Sequence, residues 1–265
     1  MLHISLHYVA FFAMADARIL TKALLLLDLI ATSDGGRSAA ELAELISVHR
    51  TNVYRYLNTF LDLGYIRKDH QDRYHLGNKI LDLTSHLLGK MPLREAAHPC
   101  LVALSAKVQK TVHLCVLDGL DVIYIDKVES QRTLPIMSRI GSRAPAYCTA
   151  VGKVLLSALP AEQLTLMLSS IHFESRTPRT IVDPVRFLDE MQHTRSKGYA
   201  LDDEEHEEGV ICLATGVRDC GGECVGAISI TGLKREYQEP EERDRLLGTL
   251  LQTAQAISSD LGLVA

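Results

Sequence analysis

Between Ser38 and Leu76 two short helical patterns and a strand pair follow one another with almost no spare chain, and this spacing constrains the fold more than any other feature. Ser38 followed by Glu41 is a capping box, in which the hydroxyl accepts from an orphan amide of the first turn and the carboxylate reaches back. A second helix is predicted to begin near His49. Its apolar residues Val53, Leu57, Phe60 and Leu61 fall at i, i+4, i+7 and i+8, one stripe for burial. Arg50, Thr51, Tyr54, Arg55 and Asn58 collect on the opposite face, with Asn52 beside them, and none of the six is acidic. Guanidinium, hydroxyl, phenol and amide groups together can meet phosphates and base edges in a major groove. Gly64 ends the helix, and Tyr65–Lys68 and Arg73–Leu76 read as two short strands around a polar turn. A helix pair followed by a basic hairpin is a winged helix-turn-helix, with the second helix in the groove and Arg67, Lys68 and Arg73 along the backbone. A helix and hairpin whose polar face is merely solvated would show the same pattern, and this stretch alone leaves both readings open.

Composition sets the frame around that stretch. A chain of 265 residues, 47% hydrophobic and 23% charged, can bury a core in each of two domains. Its formal net charge of -5 argues against a nucleic-acid partner unless charge is read locally. From Ala15 to Leu76 there are eight Lys or Arg (18, 22, 37, 50, 55, 67, 68, 73) and eight Asp or Glu (16, 28, 34, 41, 44, 62, 69, 72). The bases concentrate on the proposed docking surface and the acids on the supporting helices and turn. A neutral domain makes few phosphate contacts and binds weakly alone, so a homodimer or homotetramer on paired half-sites is expected. Six cysteines without CxxC spacing fit a reducing, cytoplasmic compartment, and Cys220 and Cys224 lack the further ligands a metal site needs. No apolar run approaches the length of a membrane span. The apolar stretch Met1–Ala13 lacks the features of a signal peptide and reads as an extension upstream of a start at Met14.

A first helix is predicted over Asp16–Ala31, and a linking helix over Gly77–Gly89 carries more leucine than one packed side requires, which fits a contact between copies. Beyond Arg94 the texture changes. A helix (Ala96–Val108) leads to strands at Thr111–Leu117, Val122–Val128 and Leu134–Ile140. Helices follow at Ala150–Ala158, Ala161–Ser169 and Pro184–Lys197, then strands at Val210–Val217 and Val225–Ile230 and a final helix at Glu241–Leu261. This mixed order implies an α+β fold on a largely antiparallel sheet. The expected organisation is an extension (1–14), the DNA-docking domain (15–77), a linker helix (78–93) and a larger C-terminal domain (94–265).

Seven motifs in order carry a resemblance. They are Val53-Tyr54-Arg55-Tyr56-Leu57, Leu63-Gly64-Tyr65-Ile66, Tyr74-His75-Leu76-Gly77, Ser138-Arg139-Ile140-Gly141, Tyr147 to Lys153, Asp202 to Gly209, and Ala227-Ile228-Ser229-Ile230-Thr231. The chain resembles the IclR family of bacterial transcriptional regulators from Arg18 onward, most of all its sugar-acid and keto-acid branch. The resemblance implies a winged helix-turn-helix, a linker helix and a GAF-like effector domain for a small organic acid. It also implies a double-stranded operator as partner, control or repression of a catabolic operon, and no cofactor. One departure is that the family commonly has Gly and, two residues on, Pro in the helix-turn-helix bend, where this chain has Ser47 and His49. A Ser at positive φ costs about 1 kcal/mol or more, which leaves the bend's geometry open.

An acid effector needs donors that are not themselves anionic, and the amides opening the helix at Thr149, Ala150, Val151 and Gly152 supply them. The resemblance adds Asp202, Cys212, Ser229 and Thr231 as effector contacts. Ser229 and Thr231 alternate on one strand and share a face. Without the resemblance, Cys212 reads as a small core residue, Ser229 and Thr231 as half-exposed strand residues, and Asp202 as part of a solvated loop with six acids in seven residues. His113 and His206 read as structural. The rival function is an enzyme using Cys212, His206 and Asp202 as nucleophile, base and orienting acid, but it leaves the basic docking helix unexplained.

Overall fold

The computed structural model describes residues 18–130, 138–237 and 239–263, in two compact units that divide after Gly89. The expected extension over residues 1–14, and residues 134–137 of the strand expected at Leu134–Ile140, lie outside the described residues.

In the first unit, α1 (Arg18–Ala31), α2 (Ala39–Leu45) and α3 (Arg50–Asp62) pack around Leu26, Ile30, Leu42, Val53 and Leu57. The capping box forms: Ser38 accepts from the Glu41 amide at 3.3 Å and the Glu41 carboxylate accepts from the Ser38 amide at 2.7 Å. The hairpin of β1 (Ile66–Lys68) and β2 (Tyr74–Leu76) contributes Ile66 and Tyr74 to this core, and Tyr74 also bridges to Arg37 in the α1–α2 connection. α4 (Asn78–Leu88) follows with no buried residue, and Leu81 and Leu87 are more than 60% exposed.

The bend between α2 and α3 keeps its left-handed residue without glycine: Ser47 sits at φ 51°. The Ser47 and Val48 amides reach back to the carbonyls of Glu44 and Ala43, closing the end of α2. The hydrogen-bonded turn and the burial of Leu42 and Val53 beside it impose the conformation that the side chain resists.

The second unit is one six-stranded antiparallel sheet in the order β5-β4-β3-β8-β7-β6, comprising β3 (Thr111–Asp118), β4 (Asp121–Val128), β5 (Arg143–Pro145), β6 (Tyr199–Asp203), β7 (Val210–Arg218) and β8 (Cys224–Leu233). One face packs Leu114, Leu213, Ile228 and Ile230 against α5 (Pro92–Val108) and α9 (Pro240–Asp260). The other face carries α6 (Ala150–Ala158), α7 (Ala161–Ser170) and α8 (Pro184–Lys197), around Phe187, Met191 and Leu156. Pro92, Pro184 and Pro240 each stand in a first turn, where their missing amide costs nothing.

Three expectations differ from this arrangement. Residues 138–140 form no strand, and the short strand there is β5, three residues on. α5 starts at Pro92, four residues before the expected Ala96, because proline is suited to a helix start. β6 was not expected: its acidic end masked a strand whose alternate residues, Ala200 and Asp202, are buried.

Gly152 explains why α6 can lie so close to the turn before it. An added Cβ there would collide with the carbonyl oxygen and Cα of Ala146, both backbone atoms that cannot swing aside. Two outcomes are expected in chemical denaturation. Ser47→Gly should raise stability by about 0.5–1 kcal/mol by relieving the left-handed strain, and Gly152→Ala should lower it by about 1–3 kcal/mol or more.

Candidate DNA interface and effector pocket

α3 presents Arg50, Thr51, Asn52, Tyr54, Arg55 and Asn58 to solvent, while Val53 and Leu57 are fully buried beneath them. Nothing in the first unit occupies the guanidiniums of Arg50 and Arg55: among the described residues neither forms an ion pair or side-chain hydrogen bond. His49 caps α3 with its carbonyl only, and no side chain covers the first amides, which leaves that helix end open to an anion.

The wing divides the three bases grouped by sequence. Arg67 is exposed and unpaired among the described residues. Lys68 is exposed as well, 2.8 Å from Asp72, with its ammonium 5.7 Å from the centre of the Tyr74 ring. Arg73 turns back into the unit. Its Nε donates to the Gly35 carbonyl at 2.8 Å and its Nη2 to the Gly36 carbonyl at 2.9 Å and to Glu41 at 3.2 Å.

In the second unit, strand register assembles the pocket. Asp202, Cys212, Thr231 and Thr111 are direct partners across β6, β7, β8 and β3, so they form one transverse row with side chains on one face. Two residues along, Ala200, Ala214, Ser229 and His113 form the next row on that face. The start of α6 lies over both rows. The space between is a small cavity of about 50 Å³, lined by all of Thr149, Ala150, Val151, Asp202, Cys212, Ser229 and Thr231. Sequence reasoning missed His113, Tyr124, Ser138, His206, Glu207 and Val210, which line it too. His113 and His206, read as structural, therefore stand on the pocket wall. Pairing His113 with Ser229 across β3 and β8 was the signal that could have found the first of them.

The wall sets an imidazole and several hydroxyls beside the carboxyls of Asp202 and Glu207. Burial first, with Lys127 adding to it, pushes His113 down to about 3, so it stays an uncharged imidazole at neutral pH. Its Nε2 lies 2.8 Å from Ser138 Oγ, and its Nδ1 3.4 Å from Ser229 Oγ and 3.3 Å from Thr231 Oγ1. A proton on Nδ1 satisfies this set, with Ser138 donating to Nε2 and Thr231 donating to the Cys212 sulfur at 3.3 Å. Thr149 caps α6 by accepting from the Gly152 amide, and the Ala150 and Val151 amides have no partner among the described residues.

Asp202, only 2% exposed, is raised to about 7, chiefly by burial. Its Oδ1 accepts from the amides of Glu205, at 2.7 Å, and His206, at 3.3 Å, and its Oδ2 has no hydrogen-bond partner among the described residues. The same turn is held from behind by Lys153, whose buried ammonium bonds Glu205 at 2.6 Å, Glu190 at 2.9 Å and the Leu201 carbonyl. Sequence reasoning placed Lys153 in a motif but gave it no role.

The rival catalytic reading fails on the same geometry. Burial, and then the neighbouring Asp202, pushes the Cys212 thiol well above its ordinary range, so no thiolate is available at neutral pH. Burial lowers His206 to about 4, and the Cys212 sulfur is bonded to Thr231 and not to an imidazole.

Comparison with known proteins agrees with this division. Residues 85–259 match the family model of the bacterial transcriptional regulator IclR C-terminal domain, and residues 19–70 match the IclR helix-turn-helix domain. The Escherichia coli HTH-type transcriptional regulator KdgR is 32% identical over 84% of this chain and 84% of its own. The Thermotoga maritima IclR structure superposes with a TM-score of 0.76 at 33% identity, covering 92% of this chain and 98% of that one. An IclR homolog from Microbacterium hydrocarbonoxydans, complexed with 4-hydroxybenzoate, shares the fold with a TM-score of 0.81 at 19% identity, over 92% of this chain and 98% of that one. The relatives are regulators and not enzymes. A helix-turn-helix unit, an effector-type sheet domain and sequence similarity across both place this chain in the IclR family of bacterial transcriptional regulators.

Proposed function

We propose that this regulator docks an operator of a catabolic operon through α3 and the wing, under control of a small organic acid held in the second unit's pocket. A sugar acid or keto acid is the class its wall suits. The observation that carries the proposal is convergence: effector residues from α6, β6, β7 and β8 line one cavity of amides, hydroxyls, an uncharged imidazole and a carboxyl raised to about 7. The Ala150 and Val151 amides would take the carboxylate, with the helix dipole behind them. Ser229, Thr231 and His113 would take hydroxyl or keto oxygens. The bound 4-hydroxybenzoate of the Microbacterium homolog supports an acid in a fold of this kind.

On the DNA side, Arg50, Thr51, Asn52, Tyr54, Arg55 and Asn58 would read or flank base edges, and Arg67 and Lys68 would follow the backbone. The exposed leucines of α4 fit a homodimer or homotetramer, which paired half-sites require. Control follows if the acid binds one arrangement of the regulator more tightly than the other; an acid with equal affinity for both would do nothing.

Two outcomes test this reading. In gel-shift titrations, Arg50→Ala or Arg55→Ala should weaken operator binding by about 1–3 kcal/mol where the residue contacts guanine; unchanged affinity in both variants would sink the docking assignment. The pocket predicts a pH dependence as well. Below about 7, Asp202 is protonated and can donate to a carboxylate; above it, the ionised group repels one. Calorimetry with a sugar acid or keto acid should therefore show affinity falling as pH rises through about 7. Asp202→Asn keeps the acceptor for the Glu205 amide and a donor at every pH, and should flatten that fall. A slope that persists in this variant would remove Asp202 from the site.

A further inference from the structure

We propose that Arg73 is a positioning residue for the wing and not a phosphate contact. Together with Glu41 it fastens the hairpin to the helix pair, setting where Arg67 and Lys68 meet the duplex when α3 lies in the groove. The inference rests on the operator-docking reading above and adds to it how the wing is held.

Three consecutive residues of the hairpin are tied to α2 or to the loop that precedes it. Arg73 spends its guanidinium on the Gly35 carbonyl (2.8 Å), the Gly36 carbonyl (2.9 Å) and both Glu41 carboxylate oxygens (3.2 and 3.3 Å). Tyr74 exchanges two backbone hydrogen bonds with Arg37, at 2.8 and 3.1 Å. His75 lays its ring against Gly36, where an added Cβ would stand 2.6 Å from the imidazole, and its Nε2 meets Asp69 Oδ2 at 2.7 Å. Asp69 in turn gathers the amides of Gln71 at 2.8 Å and Arg73 at 3.0 Å, fixing the tip of the wing.

Glu41 joins the two halves. Its carboxylate caps α2 through the Ser38 amide and hydroxyl, at 2.7 and 3.1 Å, and accepts from Arg73 in the same place. α2 is the helix that carries α3 through the Ser47 bend, so one carboxylate sets helix pair and hairpin against each other. Were Arg73 to leave for a phosphate, it would strand the Glu41 charge beside a polyanion and leave the Gly35 carbonyl without its partner, while the Gly36 carbonyl would keep only the Ser33 hydroxyl at 2.8 Å. Arg67 has no such commitment among the described residues and can meet phosphate without loss.

The test uses the full-length chain and a labelled duplex covering the region upstream of its own gene. Arg73→Lys, Arg73→Gln, Glu41→Gln and the double variant are compared with wild type, with folding checked by circular dichroism at the assay temperature. Gln at position 41 preserves the capping box, so α2 is retained. A positioning role predicts that Glu41→Gln weakens binding roughly two- to fivefold although it removes a negative charge near DNA. It also predicts that Arg73→Lys fails to rescue Arg73→Gln, and that the double variant is no weaker than the worse single one. In footprints of the complexes, hydroxyl-radical protection of the backbone beneath the wing should be lost while guanines in the major groove stay protected. A phosphate contact predicts the opposite: Glu41→Gln neutral or tighter, and Arg73→Lys close to wild type. Either of those results overturns the proposal. If a variant fails to fold, hydrogen exchange of the Gln71 and Arg73 amides in Arg73→Lys decides instead: unchanged protection overturns it. Failure of wild type itself to retard the duplex would fault the docking reading, a separate outcome.

Discussion

A buried ammonium holds the second unit of this regulator together. Lys153 is 1% exposed and reaches from α6 to Glu190 on α8, Glu205 in the turn after β6, and the Leu201 carbonyl on β6 itself. Burial alone would discharge it, but Glu205 and Glu190 more than offset that and keep it protonated. A charge removed from water is tolerable only when it is paired and bonded on several sides, so helix, strand and turn must arrive at one point. That convergence seats the start of α6 over the sheet, and the pocket is the gap left between them. Glu205 also donates its amide to Asp202, so the pocket wall and the anchor behind it share one turn.

Much of the fold was legible because local chemistry and final packing agree. Ser38 and Glu41 announced α2, and the stripe Val53, Leu57 announced α3. α6 and α8 emerged with the very bounds their periodicity and the Pro184 start implied. β6 was lost because the alternation Ala200, Asp202 puts a carboxylate in the core, and sequence patterns assign a carboxylate to solvent. With β6 hidden, the row Asp202–Cys212–Thr231 could not be built from spacing, although family resemblance had named its members. His113 escaped because a lone histidine carries no spacing signal; only its register against Ser229 places it at the wall.

The wing shows a different limit. Arg67, Lys68 and Arg73 are equivalent by composition and sit within seven residues, yet the third is committed to carbonyls of Gly35 and Gly36. Those carbonyls lie nearly forty positions upstream in a loop whose position depends on Tyr74 pairing with Arg37. Charge alone tells that a residue can meet phosphate, while the unpaired acceptors left by the rest of the fold decide whether it is at liberty to.

The acidic run after β6 bears on the chain's surplus of negative charge. Asp202 is withdrawn behind the surface and near neutrality, and Glu205 is balanced by Lys153. Asp203 is paired with Arg179, and Glu204 with both Arg179 and Lys234. What the composition counts as a tract of monopoles is therefore largely a set of short dipoles, whose potential dies away faster with distance than that of the bare charges. Beyond about 8 Å of physiological salt even the remainder is screened. An approaching duplex then meets the field of the nearest unpaired guanidiniums, and the bulk isoelectric point ceases to describe the encounter.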